Sequence, residues 1–318
     1  MTPSIGITLW PTDGEDLNAL VKNADLAMYH SKSEGRNQFS FFRAEMNAKV
    51  TERLSIENAL RRALTRIGPR KELPGISAAL GEFSLVYQPI FRVPARKLIG
   101  VEALIRWNSE EFGNVTPSRF IPVAEDSGLI VEIGEWVAHE ACAQLARWRK
   151  AGMAHFPVTI NVSGVQFKSR RLVDELLRAT RGNGLTTGDV EIEITESALV
   201  SEGDAASSTL HAMAVAGFRL VVDDFGTGYS NLAYLKRFDI AKLKIDQTFV
   251  RDITTDPDDA AITRGIIGLA KNLGLRVVAE GIENSAQLEF LLASGCEEAQ
   301  GYLLSHPLTP AALQATYG

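Results

Sequence analysis

Acids dominate the positions of this sequence that are equipped for chemistry. Glu102, Glu193, Asp223, Asp224 and Glu280 each fall in or just after an apolar, β-branched run, and Asp223 and Asp224 are adjacent. Residues two apart share a face of a strand, so Glu191 points with Glu193, and Lys244 points with Asp246. If the five carboxylates converge, two of them about 4 Å apart repel by roughly 4 kcal/mol at an effective dielectric near 20. Such a cluster must take up protons, scatter or bind cations. Oxygen-rich donors favour magnesium or manganese over zinc. Asp223 and Asp224 are spaced to serve neighbouring metals, one of them bridging. Two metals about 3.5–4 Å apart are an established device for in-line displacement at phosphorus.

Further polar residues close other runs: Gln88 before Pro89, Arg106 after Glu102, Asn161, Glu196, Glu283 and Gln300. Each has an ordinary reading beside the functional one. A lone Glu at a strand end is usually solvated or ion-paired. Asp223-Asp224 suits a helix N-cap, Lys244 a surface lysine, Asn161 a turn, and Gln300 a hydrogen-bonding group at the mouth. Phe225-Gly226-Thr227-Gly228 reads as a tight turn or a phosphate cradle, without P-loop spacing. The joint arrangement outweighs any single member.

The elements that must position these residues alternate from Glu82 onward. Eight strand-like runs occur, at Phe83–Ile90, Gly100–Trp107, Pro157–Asn161, Val190–Glu196, Arg219–Asp224, Ala241–Asp246, Arg276–Glu280 and Glu298–Leu304. Helical patterns separate most of them: Gly134–Lys150, Val165–Arg181, Ala205–Ala216, Asp259–Leu273 and Ala286–Ala293. This fits an α/β fold, a (β/α)₈ TIM-like barrel with chemistry at the C-terminal strand ends. An open doubly wound sheet is the alternative, weakened by the lack of a dinucleotide glycine fingerprint. The interval Phe91–Ile99 is too short for a crossover helix, so the first two strands are expected to be antiparallel.

The first 43 residues differ. Ser4–Trp10 and Arg36–Phe42 read as short strands around a helix at Leu17–Ser33, too little to bury a core. They read as the end of a domain whose beginning is missing. Residues 44–67 read as an amphipathic connector helix with Leu54, Ala59, Leu60, Leu64 and Ile67 on one face. Residues 68–81, rich in glycine and proline, extend the linker before a domain at 82–318.

The chain has 318 residues, with 33 basic and 39 acidic side chains and a net charge of −6. No global positive field for DNA or RNA is expected. Cys142 and Cys296 make no CxxC pair, and the five histidines have no ligand spacing; two reduced thiols are expected. No membrane segment or signal peptide is visible, so the expected compartment is the cytoplasm, with upstream membrane or sensor segments of a longer chain left open.

Two resemblances complete the reading. Ala24-Asp25-Leu26-Ala27-Met28-Tyr29, with Lys32 and Gly35-Arg36-Asn37, resembles the last fifth of a GGDEF (diguanylate cyclase) domain, without the cyclase signature. Glu102-Ala103-Leu104-Ile105-Arg106-Trp107 resembles the signature of the EAL family of cyclic di-GMP phosphodiesterases. The likeness continues through Tyr87-Gln88-Pro89, Asn161-Val162-Ser163, Glu193-Ile194-Thr195-Glu196, Asp223–Ser230, Lys242–Asp246, Ala279–Glu283 and Gln300-Gly301-Tyr302. Gly68–Leu80 reads as an insertion relative to that family.

The resemblance implies a modified barrel with an antiparallel first strand and two Mg²⁺ or Mn²⁺ ions. Glu102, Asn161, Glu193 and Asp223 would hold one metal. Asp223 would bridge to a second, held also by Asp224 and Glu280. Lys244 would position the attacking water, with Glu102 and Glu280 completing the catalytic set. Arg106, Gln88 and Asp246 would line the substrate site. Glu196 would brace the loop Phe225–Ser230, and Glu283 and Gln300 would support the second metal or its waters. The product would be linear 5′-pGpG. The competing reading is a non-catalytic EAL module that binds cyclic di-GMP and signals through a partner. A homodimer is expected from the resemblance, near Tyr229–Phe238, whose apolar Leu232, Tyr234, Leu235 and Phe238 suit core packing equally.

Overall fold

A computed structural model of the chain describes residues 3–33, 37–67, 81–169, 171–201, 203–228, 235, 238 and 240–318. It divides into two compact units, Met1–Arg62 and Ala63–Gly318. The Gly68–Leu80 insertion lies outside the described residues, as do Gly35, Arg36, Tyr229, Ser230, Leu232 and Tyr234.

In the first unit, β1 (Ser4–Ile7) and β2 (Gln38–Phe41) run parallel, joined by α1 (Leu17–Ser33). Both strands are shorter than the sequence suggests, because only four residues of each find a partner. Gly6 lets β1 approach α1: a Cβ there would lie 1.9 Å from the Ala24 carbonyl oxygen. The small element set leaves much apolar surface uncovered, with Trp10 73 % and Leu17 74 % exposed. Helix α2 (Ala44–Ile67) has the expected limits, but Leu54 points outward. Its buried stripe is Ile56, Ala59, Leu60 and Ala63, which follows the three- and four-residue helical step.

The second unit is a closed barrel. Its eight strands are β3 (Phe83–Arg92), β4 (Lys97–Ser109), β6 (Val158–Asn161), β7 (Val190–Thr195), β8 (Arg219–Phe225), β9 (Ile240–Ile245), β10 (Arg276–Ala279) and β11 (Glu298–Ala299), in that order around the ring. Strand β5 (Gly113–Val115) adds to β4 outside the ring. Strand β3 is antiparallel to both neighbours, β4 and β11, and the other ring pairings are parallel. The short connection after β3 forces this reversal, as expected.

Helices cover the ring. Ile130–Lys150 buries Ile133, Trp136, Val137, Ala141, Leu145 and Trp148, and Trp136 meets an aromatic cluster of Phe83, Trp107 and Phe120. Pro257–Leu273 is capped by Asp256 at its start and by left-handed Gly274 at its end. Two expectations are corrected. The pattern Val165–Arg181 is not one helix: a Ser163 capping box starts a 3-10 turn at Gly164–Lys168, and the α-helix begins at Leu172. The last strand stops at Ala299, because Gly301 seats against Ile282, where a Cβ would lie 2.3 Å from the Ile282 nitrogen.

Candidate functional site

The barrel strands deliver the acids to one mouth around a lysine. Lys244, on β9, is 2 % exposed. Its Nζ lies 2.5 Å from Glu280 Oε1, 2.6 Å from Glu193 Oε1, 3.2 Å from Glu102 Oε2 and 3.5 Å from Asp223 Oδ1. It is therefore no surface lysine. Glu102 comes from β4, Glu193 from β7 and Asp223 from β8, while Glu280 follows β10 and donates its backbone N–H to the Ile245 carbonyl. Asn161, at the end of β6, donates from Nδ2 to Glu102 Oε1 at 2.8 Å, and Gln300 Nε2 donates to Glu102 Oε2 at 2.8 Å.

The electrostatics follow from burial. Desolvation, then Glu102, Asp223 and Glu280, push the Glu193 carboxyl well above the ordinary range against the pull of Lys244. Desolvation is also the leading cause that lifts Glu280 to about 8 and Asp224 to about 6. Burial opposes the Lys244 ammonium, yet Glu102, Glu193, Glu280 and Asp223 together hold its pKa well above that of a free lysine. The site carries more negative charge than one ammonium offsets.

Asp224 sits in the left-handed region at φ 54, which suits Asp better than a branched residue. This turns the chain into the Gly226 turn, where Glu196 Oε2 accepts the Gly226 N–H at 2.8 Å. Asp246 is buried beside Asp224, and its Oδ1 caps the helix Gln247–Arg251 by accepting from the Thr248 N–H at 2.8 Å. Gln88 is paired in register with Glu102 and reaches the Ser305 carbonyl at 3.4 Å. The Arg106 guanidinium is half-buried, donates to the Ile105 carbonyl, and has its pKa lowered by burial. Glu283 is exposed, and its backbone N–H rather than its carboxylate is engaged, by Gln287 Oε1 at 2.8 Å.

Among the described residues, no three His, Cys, Asp or Glu groups stand as close together as a bound cation would draw them. The donor chemistry nonetheless suits a hard divalent cation. Every candidate atom is an oxygen, and Glu193 Oε2 and Asp223 Oδ1 are buried without a hydrogen bond.

The sequence reading passed over a second set of charges. Lys242, Glu191 and Glu298 are buried below the first set, with Lys242 Nζ 2.7 Å from Glu191 Oε2. The signal was available: Lys242 and Glu191 precede Lys244 and Glu193 by two residues, hence face the same lumen.

Fold and site together define an α/β barrel with a reversed first strand and an acidic mouth. The chain belongs to the EAL domain family, whose model matches residues 75–307. The diguanylate cyclase GGDEF domain model matches residues 1–38. The chain is 42 % identical over 316 residues to the bifunctional diguanylate cyclase/cyclic di-GMP phosphodiesterase MucR of Pseudomonas aeruginosa, covering 99 % of this chain and 44 % of that protein. It is 39 % identical over 314 residues to the cyclic di-GMP phosphodiesterase NbdA of the same organism, covering 99 % of this chain and 38 % of that protein. It thus spans less than half the length of these curated relatives. Among solved structures, the PaMucR phosphodiesterase in complex with c-di-GMP superposes with a TM-score of 0.74 at 40 % identity, covering 81 % of this chain and 99 % of that one. Among the described residues, no helix is long and apolar enough to cross a membrane.

Proposed function

We propose that this chain is a metal-dependent phosphodiesterase that hydrolyses cyclic di-GMP to linear 5′-pGpG. The observation that carries this reading is the convergence of Glu102, Glu193, Asp223 and Glu280 on Lys244 at the barrel mouth. It is supported by likeness to proteins named as cyclic di-GMP phosphodiesterases and to one solved with that dinucleotide. In the same reading, residues 1–43 are the end of a GGDEF-like domain, 44–81 a linker and 82–318 the EAL domain.

Glu102, Asn161, Glu193 and Asp223 would hold one Mg²⁺ or Mn²⁺, and Asp223, Asp224 and Glu280 a second. When bound, such a pair lowers the pKa of a water and clamps the scissile phosphate. The chain's own groups set the geometry. Where the acids hold cations, the Lys244 ammonium would orient the attacking water and offset charge on phosphorus. Arg106 and Gln88 face the dinucleotide from β4 and β3. Asp246 bounds that groove from its cap beside Asp224. Gln300 keeps Glu102 oriented and Glu196 holds the Gly226 turn and with it Asp224, while Glu283 would support water at a second cation. In-line attack expels the ribose 3′ oxygen.

Incubation with cyclic di-GMP and Mg²⁺ or Mn²⁺, followed by chromatography of the nucleotides, tests the reading. Appearance of pGpG that stops with a chelator is the expected result. Binding without any pGpG would overturn it in favour of a non-catalytic receptor. A homodimer through Tyr229–Phe238 rests on family resemblance alone. Leu235 and Phe238 are buried within the single chain, which accounts for them as core residues; the mass in solution decides.

A further inference from the structure

Beneath the mouth the barrel holds a second layer of buried charge. Lys242 Nζ lies 2.7 Å from Glu191 Oε2 and 3.7 Å from Glu298 Oε2. The Arg276 guanidinium, partly open to solvent, lies 3.5 Å from both Glu191 Oε1 and Glu298 Oε1. Glu298 Oε2 is buried and accepts no hydrogen bond. Stability does not account for this layer. Each buried ion loses several kcal/mol of hydration, and well-packed apolar residues of similar volume are often as stabilising or more so. Barrel interiors are ordinarily filled by branched apolar side chains.

The backbone shows what such a layer supplies. Strand β8 separates β7 from β9. Leu220 opposes Ile240 and Phe225 opposes Ile245, but between them Val221 opposes Lys242 and Val222 opposes Leu243, one residue out of step with both flanks. The β8–β9 ladder is therefore interrupted by an irregularity on each side of Val221 and Val222, and bulges of this kind re-aim side chains beside active sites. The pair Lys242–Glu191 spans the lumen across β8 between those irregularities, two residues before the pair Lys244–Glu193 on the same two strands.

We infer that Lys242, Glu191 and Glu298, backed by Arg276, form a positioning layer that fixes β9 in register and sets where the Lys244 ammonium stands among the acids. The inference rests on reading the mouth as a phosphodiesterase site. It assigns no contact with substrate to these residues.

The test compares wild type with K242M/E191M/E298M, which replaces the layer by apolar side chains of similar length. A second variant, K242M/E191Q, guards against misfolding of the first. The expected result is a melting temperature close to wild type, KM within about twofold and kcat reduced at least about tenfold, since a misplacement near 1 Å costs up to roughly a hundredfold. In nitrogen-15 lysine-labelled protein, the Lys244 ammonium signal, assigned by its loss in Lys244→Met, should also shift. Folded variants with unchanged kcat and an unmoved Lys244 signal would overturn the inference and leave the layer as structural filling. If wild type itself makes no pGpG, the functional reading fails, while the lysine signal still decides the positioning role.

Discussion

Freed of metal by a chelator, the folded protein should hold protons that its unfolded chain releases. Burial, reinforced by neighbouring carboxylates, raises Glu193 and Asp224, the latter to about 6, and lifts Glu280 to about 8 from an unfolded value near 4.5. A carboxyl whose folded pKa exceeds its unfolded one stabilises the fold at low pH. That stability is lost as pH rises from the unfolded to the folded value. Metal-free stability should therefore fall between about pH 4.5 and 8, by up to about 1.4 kcal/mol per pH unit for each excess proton held. Lys244 has its pKa raised, so it contributes across this whole window and adds no slope within it. Urea unfolding at half-unit pH steps, with chelator and with Mn²⁺, measures the effect. With Mn²⁺ the acids are held ionised, so the slope should flatten and metal affinity should rise with pH. Lys244→Met should steepen the metal-free slope, because Glu193 and Glu280 lose the cation that pulls their pKa values down. Metal-free stability that stays level or climbs from pH 5 to 8 would refute the reasoning.

Substitutions at two positions probe the loop that would carry ligands of the proposed second cation. Asp224→Asn keeps a residue that tolerates φ 54, so its melting temperature should match wild type while turnover is lost. Asp224→Val should lose a further 1–2 kcal/mol or so in urea unfolding, from backbone strain. Glu196→Ala leaves the Gly226 N–H without its 2.8 Å acceptor, at a local cost of about 1–3 kcal/mol. Hydrogen exchange at Gly226 should accelerate and kcat should fall, whereas Glu196→Gln, which still offers an oxygen, should retain most of both.

The acids of the mouth were legible because strand-end position and two-residue spacing are written in the sequence. Glu191 with Glu193, and Lys244 in the run Ala241–Asp246, need only the alternation of a strand to be aimed. The reversed first strand was equally legible, since nine residues between Phe91 and Ile99 leave no room for a crossover. What escaped was set by contacts between distant segments. Glu298, at the start of its run, shows no sign in the sequence of meeting Lys242 and Glu191 until the barrel closes and buries all three. The end of β11 depends on Gly301 meeting Ile282, and the break after Lys168 on the Ser163 cap. Neither alters the local hydrophobic period.

Lys244 Nζ, 2.5 Å from Glu280 and 2.6 Å from Glu193, takes the central place among the acids of the mouth. Two carboxylates that reach opposite sides of an ammonium are not drawn together as they would be around a smaller, doubly charged ion. In the proposed reading, cations and Lys244 would compete for the same oxygens. The Lys244 ammonium would then be left facing the mouth, where a positive group beside a bound phosphate is of use. The layer beneath, held by Lys242 and Glu191, would keep β9 in place during such an exchange.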